Sequence, residues 1–363
     1  MLHSILKLKG VSKSFGGQQV LQPISFEVKE GERICILGPS GCGKSTLLQM
    51  VAGLLRVDAG EVEIDGVSVE RGKHFIPPEN RPINMVFQDY ALWPHMTVKQ
   101  NIEYGMKRRK IAKEQMYNRL GRLQSLLKLE GLLDRLPAQL SGGQQQRVGI
   151  ARALATEPKL LLMDEPLSNL DVKLRTDMRG ELARLLGELS IATLYVTHDR
   201  MEAFTVADRI LVLRGGSIDQ IGRSEELFER PATPWVAQLM GYHNRLTVSM
   251  AKGEPDTAVA AGTRITGQCM TKGQDTGKAT MMLHPEMIYV RHTLGQAETN
   301  LLTVTAAQSI YEGTRWRIIA ETADRQLLHL LHDERAEPGS RLNLYLPPER
   351  TMLYADTDSF IHE

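Results

Sequence analysis

The chain has 363 residues, which is long enough for two domains with separate cores. Its 44 Lys and Arg residues balance 43 Asp and Glu residues, and a net charge of +1 argues against nucleic acid or anionic lipid as the main partner. Three cysteines (Cys35, Cys42 and Cys269) form no CxxC pair and no metal-ligand spacing, which indicates a reducing, cytosolic compartment. The N-terminus lacks the apolar block of a signal peptide, and no apolar run approaches the roughly 20 residues of a membrane-spanning helix. We therefore expect a chain that does not cross a membrane by itself.

The first part of the chain, to about Gly222, alternates short apolar strands with helical patterns. The segments RICIL, KLLLMDEP and ATLYVTH are apolar almost throughout, which is typical of strands buried on both faces of a sheet. Helices between such strands predict a largely parallel sheet whose ligands lie at the carboxyl ends of the strands. From about Lys107 to Leu136 the pattern is only helical. Its first residues, KRRK, favour a solvated helix face over a nucleic-acid patch.

The texture of the sequence changes after RGGSIDQIG. The segment RSEELFERPATPW predicts a short helix that is stopped by Pro231 and Pro234. Beyond Tyr242, alternating strands are divided by Gly and Pro turns: LLTVTAAQSIYEG, TRWRIIAE, RQLLHLLHD and RLNLYLPP. This pattern predicts a small β-barrel or sandwich appended to the α/β part, with domains over residues 1–240 and 241–363.

The segment GPSGCGKST fits the phosphate-loop pattern G-x-x-x-x-G-K-[ST], follows a strand and begins a helix. In that context the backbone N–H groups surround the β-phosphate, and the helix N-terminus adds positive potential. Lys44 reaches the β- and γ-phosphate oxygens, and Ser45 is a candidate Mg²⁺ ligand. The alternative is a tight strand-to-helix turn that happens to contain a lysine. The predicted nucleotide-binding loop consists of Gly38, Pro39, Ser40, Gly41, Cys42, Gly43, Lys44, Ser45 and Thr46.

The segment LLLMDEP places two carboxylates at the end of a predicted strand. Asp164 is suited to hold the Mg²⁺ shell. Because strand side chains alternate, we expect Glu165 to point elsewhere, toward a water that attacks the γ-phosphate, where a carboxylate suits general-base work. The alternative is that these residues cap the next helix.

The segment LSGGQQQRVGIARAL resembles the signature motif of ABC ATPases, and it lies between GPSGCGKST and LLLMDEP as it does in that family. MVFQDYALWPHMTVKQNI resembles the Q-loop, with Gln88 at the glutamine position. LSNLD, which ends at Asp171, resembles the D-loop, and VTHD resembles the switch loop, with His198 at the histidine position. Phe15 in VSKSF stands where the family places an aromatic residue that stacks on adenine. The six ordered motifs extend over nearly the whole of the first 235 residues.

The resemblance implies that ATP and Mg²⁺ are held between two head-to-tail copies of the chain. The signature loop of one copy would contact the γ-phosphate on the other copy's phosphate loop, which explains a Gly-rich loop without a lysine. The implied catalytic residues are Glu165, His198 and Gln88. The implied metal ligands are Ser45, Gln88 and Asp164. The implied nucleotide-binding residues outside the phosphate loop are Phe15, Ser141, Gly142, Gly143, Gln144 and Asp171.

The resemblance also implies partners. The chain would be the ATPase subunit of an importer at the cytoplasmic face of the inner membrane, with two transmembrane permease subunits fed by an extracytoplasmic solute-binding protein. Ala91, Leu92 and Trp93 fall where the family receives a coupling helix of the permease. The alternative is that Leu92 and Trp93 pack against the helical insert, which we expect over residues 89–155.

The tail, MMLHPEMIYV through GSRLNLYLPPERTMLY, resembles the small OB-like regulatory barrel, or TOBE domain, of importer ATPases for sugars, polyamines, iron and sulfate. HPE stands here where that family usually has RPE, and a spacer or dimerisation module is expected. The expected fold class is thus an α/β P-loop ABC cassette with a helical subdomain and a C-terminal all-β OB-like barrel.

The transported solute is recognised by partner subunits and is only weakly indicated by this chain. NRPINMVFQDYALWPHMTV is most like polyamine-importer relatives, with iron(III), phosphonate and sugar importers as alternatives. Two rival classes are a soluble ABC ATPase acting on ribosomes or DNA and a P-loop kinase. The first usually has two cassettes or a long coiled coil, and the second would lack the signature loop.

Overall fold

The computed structural model describes residues 3–271, 277–291 and 299–355. These residues form two compact units that divide after Ser224. Across the described ranges, none of the helices combines the length and the apolar character needed to cross a bilayer.

The first unit has an α/β architecture with two sheets. In chain order its elements are β1 (Ser4–Phe15), β2 (Gln18–Lys29), β3 (Arg33–Leu37), α1 (Lys44–Ala52), β4 (Ala59–Ile64), β5 (Val67–Arg71), β6 (His74–Phe75), β7 (Ile83–Val86), α2 (Val98–Arg108), α3 (Lys113–Leu126), α4 (Gly142–Leu154), β8 (Leu160–Asp164), α5 (Val172–Leu189), β9 (Ala192–Thr197), α6 (Arg200–Val206), β10 (Arg209–Arg214) and β11 (Ser217–Gly222).

The larger sheet has the strand order β11-β10-β3-β9-β8-β7. Its strands β10, β3, β9, β8 and β7 are parallel, and β11 pairs antiparallel with β10. The predicted parallel sheet is therefore confirmed. A second, antiparallel sheet with the order β2-β1-β4-β5-β6 was not expected, because strands far apart in the chain build it.

One hydrophobic core joins the two sheets to the helix that follows the phosphate loop. It contains Leu6 and Leu8 of β1, Ile36 of β3, and Leu47 and Val51 of α1, all of which are at most 2 % exposed. Burying a Leu, Ile or Val side chain contributes roughly 1.5–3 kcal/mol. This packing holds the end of β3 and the start of α1 in place on either side of the phosphate loop.

The helices α2, α3 and α4 supply the helical insert predicted over residues 89–155. Thr97 begins α2 with a capping box, since its side chain accepts from the Gln100 N–H and the Gln100 side chain accepts from the Thr97 N–H. The buried side chains Ile102 and Met106 lie one helical turn apart and form its apolar face.

The second unit is built mainly from antiparallel strands. Its elements are α7 (Ser224–Glu229), α8 (Pro234–Met240), β12 (Asn244–Ala251), β13 (Glu254–Ala260), β14 (Thr263–Thr266), β15 (Gln268–Cys269), β16 (Lys278–Leu283), β17 (Tyr289–Arg291), β18 (Leu301–Tyr311), β19 (Trp316–Glu321), β20 (Leu327–His332), β21 (Arg341–Tyr345) and β22 (Thr351–Ala355). Two sheets, β14-β13-β12-β16-β22-β15 and β17-β21-β18-β19-β20, share one hydrophobic core. The all-β character of the tail is confirmed.

The helices α7 and α8 group with the second unit, so the structural division lies upstream of the expected boundary at residue 240. The ring of His284, in the HPE segment, lies 5.6 Å from Phe228 of α7 and 5.5 Å from Tyr242, centroid to centroid. Pro234 was expected to stop a helix but instead occupies the first turn of α8, where its missing N–H costs no hydrogen bond.

Candidate active site

The phosphate loop has the compact backbone that its glycines allow. Gly43 caps α1 with φ 103°, and a Cβ on it would lie 2.7 Å from the Leu21 side chain. A Cβ on Gly38 would lie 2.3 Å from the Leu213 carbonyl oxygen. The Lys44 ammonium is nearly buried and donates to the Gly38 and Pro39 carbonyl oxygens at 2.9 and 2.8 Å. The loop therefore curls around the lysine at the N-terminus of α1, as an anion-binding loop requires.

Ser45 and Asp164 form a pair of oxygen donors beside this loop. The Ser45 hydroxyl donates to Asp164 Oδ1 at 3.0 Å, joining the start of α1 to the end of β8. Burial raises the pKa of Asp164, and the Ser45 hydrogen bond opposes part of that rise. Hydroxyl and carboxylate oxygens are the donors that Mg²⁺ prefers, so the two residues fit a magnesium site.

Glu165 has a left-handed backbone, with φ 43°. Its N–H donates to the Val196 carbonyl at 3.0 Å, and its own carbonyl accepts from the Ser168 hydroxyl at 2.9 Å. The expected reason for its direction was wrong, because β8 ends at Asp164 and strand alternation does not reach Glu165. A left-handed non-glycine residue costs roughly 1–3 kcal/mol, and these hydrogen bonds hold the backbone in that conformation.

His198 lies beside Glu165, as the motif order suggested. Its Nδ1 is 3.0 Å from Glu165 Oε2. His198 follows β9, and Glu165 follows the neighbouring parallel strand β8. Because β3, β9 and β8 are adjacent and parallel, the phosphate loop, the switch histidine and the acidic pair meet at one edge of the sheet.

Gln88 lies at the same edge of the sheet, where its backbone carbonyl, and not its side chain, makes the contact with Asn169. Gln88 follows β7, the strand next to β8, and its carbonyl accepts from Asn169 Nδ2 at 2.9 Å. Among the described residues, no hydrogen bond joins the Gln88 side chain to Ser45 or Asp164. The contact with Asn169 links the Q-loop to the D-loop.

The signature residues begin α4 and have local roles in its structure. Ser141 and Gln144 form a capping box, in which the Ser141 N–H donates to Gln144 Oε1 at 2.9 Å. A Cβ on Gly143 would make only an ordinary contact with Leu174 at 3.5 Å, so packing within this chain does not require a glycine there. No hydrogen bond in the described part of the chain joins these residues to the phosphate loop. Their contacts lie instead toward the D-loop, where a Cβ on Gly142 would lie 3.3 Å from Leu170.

Asp171 and Phe15 occupy the ends of other elements. Asp171 caps α5, and its Oδ1 accepts from the Leu174 N–H at 2.9 Å. Phe15 ends β1 with 48 % of its surface exposed, and Lys13 Nζ lies 5.3 Å from its ring centroid. About half of the Phe15 surface is thus accessible.

An arginine of α4, Arg152, holds the Q-loop by its carbonyl oxygens, and sequence reasoning missed this arginine clamp. Tyr90 and Ala91 are consecutive left-handed residues, with φ 60° and 43°. The guanidinium of Arg152, in the last turn of α4, donates to the Tyr90 and Ala91 carbonyl oxygens at 2.8 and 2.6 Å. Its Cζ also lies 4.9 Å from the centroid of Trp93. A charged side chain in the otherwise apolar run IARAL is the sequence signal that could have found it.

Ala91, Trp93 and Arg152 border a groove of about 370 Å³. The Trp93 ring packs against Tyr104 of α2 at a tilt of 46°, with ring centroids 4.4 Å apart, and Phe87 lines the same groove. Asn101, which is fully buried, supports the loop by bonding both the N–H and the carbonyl of Trp93. The structure therefore brings Ala91 and Trp93 to the groove, whereas Leu92 is not among its lining residues.

A phosphate loop after β3, a carboxylate pair at the end of β8 and a histidine after β9, all at one edge of a parallel sheet, define a P-loop ATPase. A family model described as "ABC transporter" matches residues 21–168. Together with import ATP-binding proteins that are 41% identical over 96% of this chain, described next, this match shows that the chain belongs to the ABC transporter family and is an ATP-hydrolysing subunit of the importer type.

Two relatives cover most of the chain. The sn-glycerol-3-phosphate import ATP-binding protein UgpC of Salmonella typhi is 41% identical over 359 residues, covering 96% of this chain and 97% of the relative. The protein of the same name from Ruegeria pomeroyi is 44% identical over 281 residues, covering 77% of this chain and 78% of the relative. These relatives do not support the prediction that the transported solute is a polyamine.

Two solved structures match about three fifths of the chain. A dimeric ATP-binding cassette in a post-hydrolysis state, bound to ADP and Pi, has a TM-score of 0.53 and 33% identity and covers 60% of this chain and 98% of that one. The cbiO1 protein of Clostridium perfringens, part of the ABC transporter complex cbiONQ, has a TM-score of 0.57 and 30% identity and covers 62% of this chain and 91% of that one. Both likenesses agree with the ABC cassette fold.

Proposed function

We propose that the chain powers the import of a glycerol-phosphate- or sugar-type solute. It acts at the cytoplasmic face of the inner membrane, as a homodimer bound to two permease subunits. An extracytoplasmic solute-binding protein delivers the solute to these permease subunits. Similarity to the Salmonella typhi relative over 96% of this chain supports the solute class. The observation that carries the ATPase part is the meeting of Lys44, the Ser45–Asp164 pair and the Glu165–His198 pair at one sheet edge.

The proposed chemistry assigns each group a separate task. The phosphate-loop N–H groups and Lys44 bind the β- and γ-phosphates of ATP. Ser45 and Asp164 hold Mg²⁺, which when bound neutralises charge on the phosphate oxygens. Glu165 accepts a proton from the attacking water, and His198 orients that water and donates to the γ-phosphate.

Further residues are proposed to complete the nucleotide site. Gln88 follows β7 at the same sheet edge and takes part in catalysis and in the metal shell. The partly exposed ring of Phe15 stacks on adenine. Asp171 lies in the D-loop and contributes to the site from the start of α5.

We also propose that the signature loop acts on the nucleotide of the second copy. Ser141, Gly142, Gly143 and Gln144 lie at the N-terminus of the 13-residue helix α4, whose free N–H groups favour an anion. Their contacts within the chain lie away from the phosphate loop, and Gly143 is a glycine without a packing reason. A phosphate that approaches the backbone from another copy supplies that reason.

The groove beside the Q-loop is the proposed permease docking site. Ala91 and Trp93 line it, and partly exposed aromatic rings beside a loop that contacts the D-loop suit an amphipathic helix of a partner. The all-β second unit is proposed to act as a spacer or dimerisation module.

Complementation of two damaged chains tests the ATPase arrangement. Lys44→Ala alone should slow hydrolysis at least about 10²-fold, by analogy with the loss of one preorganised donor. A heterodimer of a Lys44→Ala chain and a Ser141→Arg chain should keep one intact site, because both lesions fall in the other site. The matched control pairs a doubly substituted chain with wild type and should retain no ATP, because each site then has one lesion. Equal ATP retention by the two purified heterodimers would refute the trans arrangement.

Uptake measurements test the solute. In cells that lack their own sn-glycerol-3-phosphate import ATPase, expression of this chain should restore uptake of labelled sn-glycerol-3-phosphate. The Salmonella typhi relative is the positive control, and the Lys44→Ala chain is the negative control. Restoration by the relative but not by this chain, at equal expression, would contradict the proposed solute class.

A further inference from the structure

A buried carboxylate is hydrogen-bonded to β9, the strand that ends just before the switch histidine. Glu202 of α6 is 3% exposed, and its Oε2 accepts from the Tyr195 hydroxyl at 2.9 Å and from the Thr197 hydroxyl at 2.8 Å. Burial raises the pKa of Glu202, and these two hydrogen bonds oppose the rise. A buried carboxylate is costly unless it is hydrogen-bonded, so the two hydroxyls of β9 hold this one in a single position.

The same carboxylate is connected to the loop on both sides of His198. Thr197, which precedes the histidine, donates to Glu202 and accepts from the Asp199 N–H at 3.0 Å. Asp199, which follows it, accepts through Oδ1 from the Met201 and Glu202 N–H groups at 2.6 and 3.1 Å. The backbone of His198 is therefore held between two residues that are tied to Glu202.

We propose that Glu202 is a positioning residue for ATP hydrolysis: through Thr197 and Asp199 it fixes the switch loop, so that His198 stays within hydrogen-bond distance of Glu165. The inference rests on the role proposed for His198. The bond from Tyr195 ends on the same Oε2 atom but does not touch the loop. Tyr195 and Thr197 thus offer a matched pair, because each supplies one hydroxyl bond to Glu202 and only Thr197 is connected to the loop.

The test compares Thr197→Val with Tyr195→Phe in the full chain. Thr197→Val should lower kcat at least about tenfold with a KM for ATP within about twofold of wild type, since small misplacements of catalytic groups slow chemistry more than binding. Tyr195→Phe should stay within about twofold of wild type in both constants. Urea unfolding of both variants measures the stability lost with each hydroxyl. Thr197→Ser keeps the hydroxyl, should restore turnover, and covers the case in which Thr197→Val does not fold.

A second comparison asks whether the effect passes through the histidine. In a His198→Ala background, Thr197→Val should cause no further loss of kcat, because the group that it positions is already gone. A further tenfold loss in that background, or equal losses in the two hydroxyl variants, would overturn the inference and leave Glu202 as a structural residue. If His198→Ala itself has the wild-type kcat, the role proposed for His198 is wrong and the inference falls with it. A slow His198→Ala beside a fast Thr197→Val overturns only the inference.

Discussion

Removal of the arginine clamp at the Q-loop should lower the free energy of unfolding by an amount that the contacts of Arg152 allow us to estimate. Arg152→Ala deletes the two hydrogen bonds to the Tyr90 and Ala91 carbonyl oxygens and the contact with the Trp93 ring. It leaves two consecutive left-handed residues, with φ 60° and 43°, without the group that holds their carbonyls. The Q-loop should then relax away from this conformation.

The expected loss follows from the contacts. Hydrogen bonds that involve a charged group contribute roughly 1.5–3 kcal/mol each, and an exposed cation–π contact contributes roughly 0.5–1 kcal/mol. Hydrogen bonds to water compensate for part of these lost contributions, because the Arg152 side chain is only partly buried. We expect Arg152→Ala to lower the free energy of unfolding of the first unit by about 3 kcal/mol. Arg152→Lys keeps the charge but presents a single ammonium in place of the planar fork, so about half of that loss is expected.

Urea unfolding of the full chain, followed by circular dichroism, measures these differences. Arg184→Ala is the matched control, because Arg184 has a partner only one helical turn away, Glu188, and both are about half exposed. An exposed pair of that kind contributes roughly 0.3–0.5 kcal/mol. If Arg152→Ala and Arg184→Ala unfold at the same urea concentration, the clamp does not stabilise the Q-loop and the reasoning fails.

Two further predictions concern hydrolysis and domain structure. Glu165→Gln should bind Mg-ATP but hydrolyse it at least about 10²-fold more slowly, because an amide cannot accept the proton of the water, and size-exclusion chromatography with Mg-ATP should show a dimer. A variant that stays monomeric with bound ATP would count against ATP-dependent dimerisation. A chain that ends at Ser224 should remain soluble and bind ATP. A chain that ends at Met240 keeps α8 without its partner strand β16, so the side chains of Val236 and Met240 become exposed. This longer chain should aggregate and scatter more light. ATP binding that is lost in a soluble chain ending at Ser224 would show that the second unit is part of the nucleotide-binding fold.

Several parts of the site were predictable because their residues are adjacent in the chain. The phosphate loop is one contiguous segment between a strand and a helix, and its glycines occupy the positions that the backbone requires. The signature motif that contains Ser141 and Gln144 is likewise one contiguous segment. The parallel sheet was predictable because strands buried on both faces are apolar along their whole length.

Other features depend on residues that are distant in the chain. The direction of Glu165 depends on a backbone bond to Val196, and the pairing of β1 with β4 places a sheet where local pattern indicated only a strand. Arg152 lies about 60 residues from the carbonyls that it clamps. None of these contacts leaves a periodic signal, since one long-range hydrogen bond can form at any spacing.

The sequence by itself determined which groups are available for chemistry: the lysine, the hydroxyl, the carboxylate pair and the histidine are visible in their motifs, because each motif is short and contiguous. Only the tertiary structure decided how those groups meet. The order β3-β9-β8 places three separate loops at one edge, and the left-handed backbone of Glu165 turns its side chain to His198. The physical reason is that a motif restricts only its own dihedral angles, whereas the distance between two motifs depends on the packing of the whole core between them.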